Sequence, residues 1–360
     1  MTALLKAVHR YAGLTMLTLW LVQAGTGVLM VFHWEIGDAR LAGAHRPADW
    51  PAIGATVARL ERERAGSRVH AIYPSGGAPD RFDLFVDDAH DATDVVRVDG
   101  AGEVLGEWPS EHDYARAPWI ETAVILHQSL FAGHRGRWLL GFSGLLLVTN
   151  LALGLKLAWG ARGQWFSSLA RWHRLTGKAR VYVAHRAAGV LLVVPALLFV
   201  SAGAMQSFDD ALEELLDAAP PAPSGVRLAG AGRISPERAI SVALARFPGA
   251  SFAGLAMPSD GHPWYRVRVR QPGELRRVFG TTVAYVAVDD ARVLAVNDAR
   301  QAPLRQRLLD GSWAVHTGEA FGLAGRLLAL ASAVLLLTTM FLGVTLWWRN
   351  RARAWATPAT

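Results

Sequence analysis

The chain has 360 residues, 52% hydrophobic and 19% charged, with a formal net charge of +7 and no cysteine. That apolar share is too high for an ordinary soluble domain, and the charged share too high for a chain lying wholly in lipid. Membrane spans joined to sizeable polar domains are expected. The lack of cysteine excludes disulfides, iron–sulfur clusters, thiolate haem ligation and c-type haem attachment.

In chain order, four apolar runs are long enough to cross about 30 Å of hydrocarbon: residues 11–32, 138–159, 184–205 and 323–348. The first is too long, and lacks a following small-residue cleavage motif, to read as a signal peptide. The ends and the middle loop (160–183) carry Lys6, Arg10, Arg162, Arg171, Arg174, Lys178, Arg180, Arg349, Arg351 and Arg353 and no acid. By the positive-inside rule both termini and this loop are expected in the cytoplasm. The basic charge is therefore a topology signal, which argues against a nucleic-acid partner and leaves membrane lipid as the surrounding medium. The predicted division is a first span (1–33), a first outside domain (34–126), a second span with its lead-in (127–160), a basic loop (161–183), a third span (184–206), a second outside domain (207–315), a fourth span with its lead-in (316–349) and a tail (350–360).

Within the outside domains, Ser235-Pro236-Glu237 reads as a helix start, with an N-cap serine, proline in the first turn and an acid near the positive helix end. That helix should stop at Pro248-Gly249. Alternating segments at 264–269 and 283–288 predict strands, with a turn at Asp289-Asp290. The first domain shows a helical stretch at 53–63 and strands at 82–86 and 95–98, with a turn at Asp99-Gly100. Each domain is predicted as a small α+β unit, one helix on an antiparallel sheet. Pro220–Pro223 reads as an exposed linker and 229–232 as a flexible entry to the second domain.

A repeat organises the chain. His9-Arg10-Tyr11-Ala12-Gly13 recurs as His185-Arg186-Ala187-Ala188-Gly189, and each histidine is followed 18 residues later by a glycine, Gly27 or Gly203. His127 precedes Gly136-Arg137 by the interval that separates His316 from Gly325-Arg326. Gly154 and Gly343 each follow their histidine by 27 residues. The fold class predicted is a membrane α-helical bundle of four spans, internally duplicated about a pseudo-two-fold axis, with two small α+β extracytoplasmic domains.

One histidine at a membrane interface is ordinary; symmetry-paired ones are not. The axis would set His9 opposite His185 at the cytoplasmic level, and His127 opposite His316 at the outer level, the arrangement of two bis-imidazole haem sites. Gly13 and Gly189, one turn from their histidines, would leave room for a flat macrocycle. Arg10, Arg186, Arg137 and Arg326 are placed to pair with haem carboxylates. His33 and His173 lack repeat partners and are candidates to supplement a ligand at their own level. His134 is expected to be exposed. No H-E-x-x-H, G-x-G-x-x-G or Walker A segment appears, and the spans hold no carboxylate, against a proton-relay transporter. Two haems at opposite levels would carry electrons across the membrane, from a quinol or a reduced cytoplasmic carrier.

These residues resemble a known family, the PepSY-associated transmembrane proteins, which include inner-membrane ferric-siderophore reductases of Gram-negative bacteria. The matching pieces are His9-Arg10-x-x-Gly13 with Thr26-Gly27, and Leu126-His127-Gln128-Ser129-Leu130-Phe131 with Gly136-Arg137. In the second half they are His185-Arg186-x-x-Gly189 and His316-x-Gly318 with Gly325-Arg326. The stretch from Ile234-Ser235-Pro236-Glu237 to Phe247-Pro248-Gly249 is similar to the start of a PepSY domain. The resemblance implies two haems b, PepSY-like periplasmic domains, an inner-membrane location and reduction of ferric siderophore to release Fe(II). Ser201-Ala202-Gly203 departs from the family's Thr-Gly pair. Two other readings stay open: a haem-free PepSY module that binds or restrains an envelope protein, and a siderophore permease.

Overall fold

The computed structural model describes residues 2–90, 92–110, 116–226 and 232–356; most of the predicted flexible entry at 229–232, and the last four residues of the tail, lie outside them. The first half forms α1 (Thr2–Thr15), α2 (Leu17–Met30), α3 (His33–Ala39), α4 (Trp50–Glu63), β1 (Arg68–Pro74), β2 (Arg81–Asp87), β3 (Thr93–Asp99), β4 (Val104–Pro109), α5 (Trp119–Ser129) and α6 (Gly133–Trp159). A short helix α7 (Trp165–Ala170) lies in the basic loop. The second half forms α8 (Gly177–Ser207), α9 (Asp209–Leu215), α10 (Pro236–Arg246), β5 (Ser251–Ala256), β6 (Trp264–Arg270), β7 (Thr282–Ala287), β8 (Val293–Asn297), α11 (Leu304–His316) and α12 (Gly322–Ala356). Two compact units result. One comprises Met1–Val31, Ile125–Asp209 and Val315–Thr360; the other comprises Phe32–Val124 and Asp210–Ala314.

In the helical unit, α6, α8 and the stretch Glu319–Arg351 are long and apolar enough to cross a membrane. The predicted first span is not one straight helix: α1 and α2 meet at Met16 with a bend of 65°. Helix α8 packs against both α6 and α12, α2 against α12, and α1 against α6. Trp20 of α2 is buried, and its indole N–H donates to Ser143 Oγ of α6 at 3.0 Å, so its polar edge has a partner away from water. The repeated Gly-Arg pairs open α6 and α12 for a steric reason. A Cβ on Gly136 would collide with the Ser129 carbonyl oxygen, and one on Gly325 with that of Gly318, which itself adopts φ 79°.

The second unit is one eight-stranded antiparallel sheet, ordered β4-β3-β2-β1-β5-β6-β7-β8. The two α+β segments predicted as separate domains therefore share one sheet, joined where Ala71 and Ile72 of β1 pair with Ala256 and Leu255 of β5. Alternation places Phe82, Leu84, Val86, Val96 and Val98, with Tyr265, Val267, Val269, Ala284 and Val286, on one face. There Ile53, Val57 and Leu60 of α4 and Ile240 and Ala243 of α10 complete a common core. Each fully buried large aliphatic side chain contributes about 1.5–3 kcal/mol. Asp49 caps α4 by accepting from Ala52 N at 3.2 Å. Ser235 occupies the predicted N-cap position of α10, but its side chain forms no capping bond.

Candidate functional site

The structure brings the four repeat-related histidines together in two pairs. The rings of His9 and His185 have centroids 6.4 Å apart, and those of His127 and His316 6.2 Å apart. A metal takes an imidazole nitrogen at about 2.0–2.1 Å, so two imidazoles on opposite sides of one iron have centroids about 6.4 Å apart. Both separations match that value. Each pair supplies two nitrogens, and among the described residues no three His, Cys, Asp or Glu side chains converge on a common point. A bare structural metal ion takes about four protein donors, whereas a haem brings its own equatorial donors and needs only the axial two.

The second nitrogen of every ring is engaged. Nδ1 of His9 lies 3.1 Å from the Asn150 carbonyl oxygen, that of His185 3.0 Å from Thr339 O, and that of His316 2.8 Å from Phe199 O. With a carbonyl as acceptor, Nδ1 carries the proton and Nε2 keeps the lone pair an iron requires. His127 differs: its Nδ1 lies 2.8 Å from Thr26 Oγ1, and that hydroxyl itself donates to Val22 O at 2.7 Å. The hydroxyl proton being committed there, Oγ1 accepts from His127 and the same tautomer follows.

These bonds explain the glycine spacing. A helical Cβ leans toward the preceding turn and screens the carbonyl four residues back. Asn150, Thr339 and Phe199 each precede by four residues one of the repeated glycines, Gly154, Gly343 and Gly203. The missing side chain opens the carbonyl and seats the ring. A Cβ would lie 3.1 Å from His9 Cε1 at Gly154, 3.3 Å from His185 Cε1 at Gly343, 2.6 Å from His316 Cε1 at Gly203 and 3.6 Å from His127 Cε1 at Gly27. Thus α1 meets α6, α8 meets α12 and α8 meets α11 through ring-on-glycine contacts. The departure at Ser201-Ala202-Gly203 has a structural meaning: where Ala202 replaces the threonine, His316 reaches the backbone carbonyl directly. Gly13 and Gly189 touch none of the four rings; a Cβ there would meet Asn150 Nδ2 at 3.6 Å and Thr339 Cγ2 at 4.0 Å.

The other candidates stand elsewhere. His33 opens α3 in the sheet-bearing unit, its ring 5.0 Å from that of Trp34. His173 is exposed in the basic loop, where Arg174 Nε donates to its Nε2 at 3.3 Å. Neither joins a pair: the position of α9 that corresponds to His33 is Asp209, and His173 lies in the loop between the halves. His134 is exposed, as expected. Arg10 is exposed and lies over the Tyr11 ring, and Arg186 donates to Ser168 Oγ. Arg137 pairs with Asp209 at 3.2 Å. Arg326 is buried, and its Nε and Nη2 donate to Val31 O at 3.2 and 2.6 Å, holding the start of α12 to the end of α2. What sequence reasoning missed is the acceptor set: Thr26 and the carbonyls of Asn150, Phe199 and Thr339. Its signal was the glycine spacing, four residues beyond each carbonyl.

The family model described as PepSY-associated TM region matches residues 7–350, nearly the whole chain. No curated protein matches it.

Proposed function

The chain belongs to the PepSY-associated transmembrane family, and from that premise we propose that it is a dihaem b oxidoreductase of the bacterial inner membrane that reduces ferric siderophore in the periplasm. The observation that carries the reading is a pair of neighbouring imidazoles at each of two levels, 6.4 and 6.2 Å between centroids, each with its Nδ1 already held. His9 and His185 would hold one haem, and His127 and His316 the other. Bound haem would supply reversible one-electron storage at each level.

The chain's own part is positional. The carbonyl and hydroxyl acceptors hold each ring in one tautomer and one orientation, and the seating glycines let the helices approach each ring closely. We count the bent pair α1–α2 as one span with α6, α8 and α12, which gives four spans in two related halves. The positive-inside rule then puts both termini in the cytoplasm and the sheet-bearing unit in the periplasm. The net reaction moves one electron from a quinol or reduced cytoplasmic carrier to Fe(III); the chelate holds the resulting Fe(II) weakly and releases it. Purified full-length protein should show a haem b spectrum that dithionite reduces and a ferric siderophore reoxidises. A preparation with no Soret band, or His127→Ala and His316→Ala variants with the wild-type spectrum, overturns the proposal.

A further inference from the structure

The two halves of the sheet differ on the face away from α4 and α10. In the first half that face of β2 carries Arg81, Asp83, Phe85 and Asp87, and each charge is answered. Asp83 receives Arg97 Nε at 2.6 Å, Arg81 donates to Asp38 Oδ1 at 2.7 Å, and Thr93 donates to Asp87 at 2.7 Å. The strand in the matching sheet position, β6, carries Arg266, Arg268 and Arg270 there and no acid.

Arg270 is used structurally, its Nε donating to Arg276 O at 2.7 Å. Arg266 and Arg268 form no hydrogen bond or ion pair among the described residues, and the buried Arg268 Nε has no acceptor. The charged and titratable groups around them include Tyr285, across the strand from Arg266, and Asp310, which interacts with Arg268 without forming an ion pair and lies beside Arg276. On the other side the cross-strand neighbours are small: Ala256 faces Arg266 and Gly254 faces Arg268. The Tyr73 ring lies over Gly254, beside the aromatic rings of Phe85 and Phe279.

Two half-buried guanidinium groups without partners carry a desolvation cost that an anion would offset. At about 3.3 Å rise per residue the row Arg266–Arg270 spans about 13 Å, the breadth of a compact hexadentate chelate. We infer that this face of β6 binds an anionic, oxygen-rich ferric chelate with aromatic donors, a catecholate in preference to a hydroxamate, with Arg266 and Arg268 as its anion contacts and Tyr73 as its aromatic neighbour. That the ligand carries iron rests on the oxidoreductase reading above; that the face prefers an anionic aromatic chelate does not.

The test is equilibrium binding by ultrafiltration of the full-length protein in neutral detergent. The probes are the anionic ferric complex of three catechols and a cationic ferric trihydroxamate. The anionic probe should bind at least tenfold more tightly and lose affinity as salt rises. Each charged hydrogen bond is worth about 1.5–3 kcal/mol, about tenfold or more in affinity, so R266E/R268E should lose at least a hundredfold for the anionic probe. The charge-retaining R266K/R268K should keep part of the binding, which guards against a folding artefact. Equal binding of both probes, or unchanged binding by R266E/R268E, overturns the inference. So does displacement of the probe by phosphatidylglycerol micelles at comparable affinity, which would assign the arginines to lipid headgroups. A haem spectrum on the same samples separates the two readings, since anion-selective binding by haem-free protein sinks the oxidoreductase alone.

Discussion

Replacing Gly203 by alanine tests the ring-on-glycine arrangement most severely. The added Cβ would lie 2.6 Å from Cε1 and 2.7 Å from Nδ1 of His316, a ring held by a 2.8 Å bond to Phe199 O. The ring must retreat by close to an ångström, which strains or breaks that bond. Overpacking costs about 1–3 kcal/mol and the hydrogen bond about 1 kcal/mol, against about 0.5–1 kcal/mol gained by removing a helical glycine. The net is a loss of about 1–3 kcal/mol at the His127–His316 pair. Gly27 is the internal control. There the Cβ would lie 3.6 Å from His127 Cε1, ordinary contact, because the ring reaches Thr26 Oγ1 instead of a carbonyl. Gly27→Ala should be neutral or slightly stabilising, with Gly343→Ala (3.3 Å) and Gly154→Ala (3.1 Å) in between. Haem stoichiometry and the reduced-minus-oxidised spectrum of each purified variant give the order, with thermal unfolding beside them. If Gly203→Ala keeps full haem while Gly27→Ala loses it, the reasoning is wrong.

Three further outcomes follow from the same geometry. If the chain binds two haems as proposed, His33→Ala and His173→Ala should retain both, while His127→Ala and His316→Ala should each remove the one at that pair, read as haem per protein. Thr26→Ala removes the hydroxyl that His127 Nδ1 meets at 2.8 Å, at a cost of about 1 kcal/mol; the expected result is a shifted midpoint potential at one haem with haem content kept, and an unchanged redox titration would count against the bond. Burial raises the Glu121 carboxyl pKa, with Arg97 opposing. Above the ordinary carboxyl value of about 4.3, the folded state therefore holds a proton the unfolded state has released, and stability falls as pH rises through that window. Glu121→Gln should thus melt above wild type at pH 8 and not at pH 4, and a gap that fails to widen with pH would refute it.

The apolar runs were legible because length and hydropathy are local properties. What they hide is backbone geometry. The break at Met16 falls within a continuous helical pattern, and α8 begins at Gly177, seven residues before its apolar run, because a basic segment can be helical without being hydrophobic. In the sheet, β2, β3, β6 and β7 announce themselves by alternation. The joining strand β5 (Ser251–Ala256) is short, carries Gly254 and Ala residues and has a bulge, so it shows no period. Its pairing with β1 joins segments about 180 residues apart, information that no window of sequence contains. The glycines of the repeat were visible as spacing alone. A glycine opens a carbonyl on any helix; which imidazole uses it depends on which helices meet.

The histidine levels and the sheet reward opposite readings of the same repeat. Where the halves agree, at His9 and His185, His127 and His316, and the four seating glycines, each half contributes one imidazole to each of the two pairs. Where the halves differ, the difference has a local chemical consequence. Thr26 against Ala202 changes the acceptor behind one imidazole of the His127–His316 pair from a carbonyl to a hydroxyl, so the two Nε2 atoms would differ in electron-donating strength toward a bound haem. The charges of β2 are answered, whereas Arg266 and Arg268 of β6 form no hydrogen bond or ion pair among the described residues. On the face away from α4 and α10, β2 holds one arginine and two carboxylates, and β6 three arginines and no carboxylate. The asymmetry therefore points outward, to something negatively charged that the second half meets and the first does not.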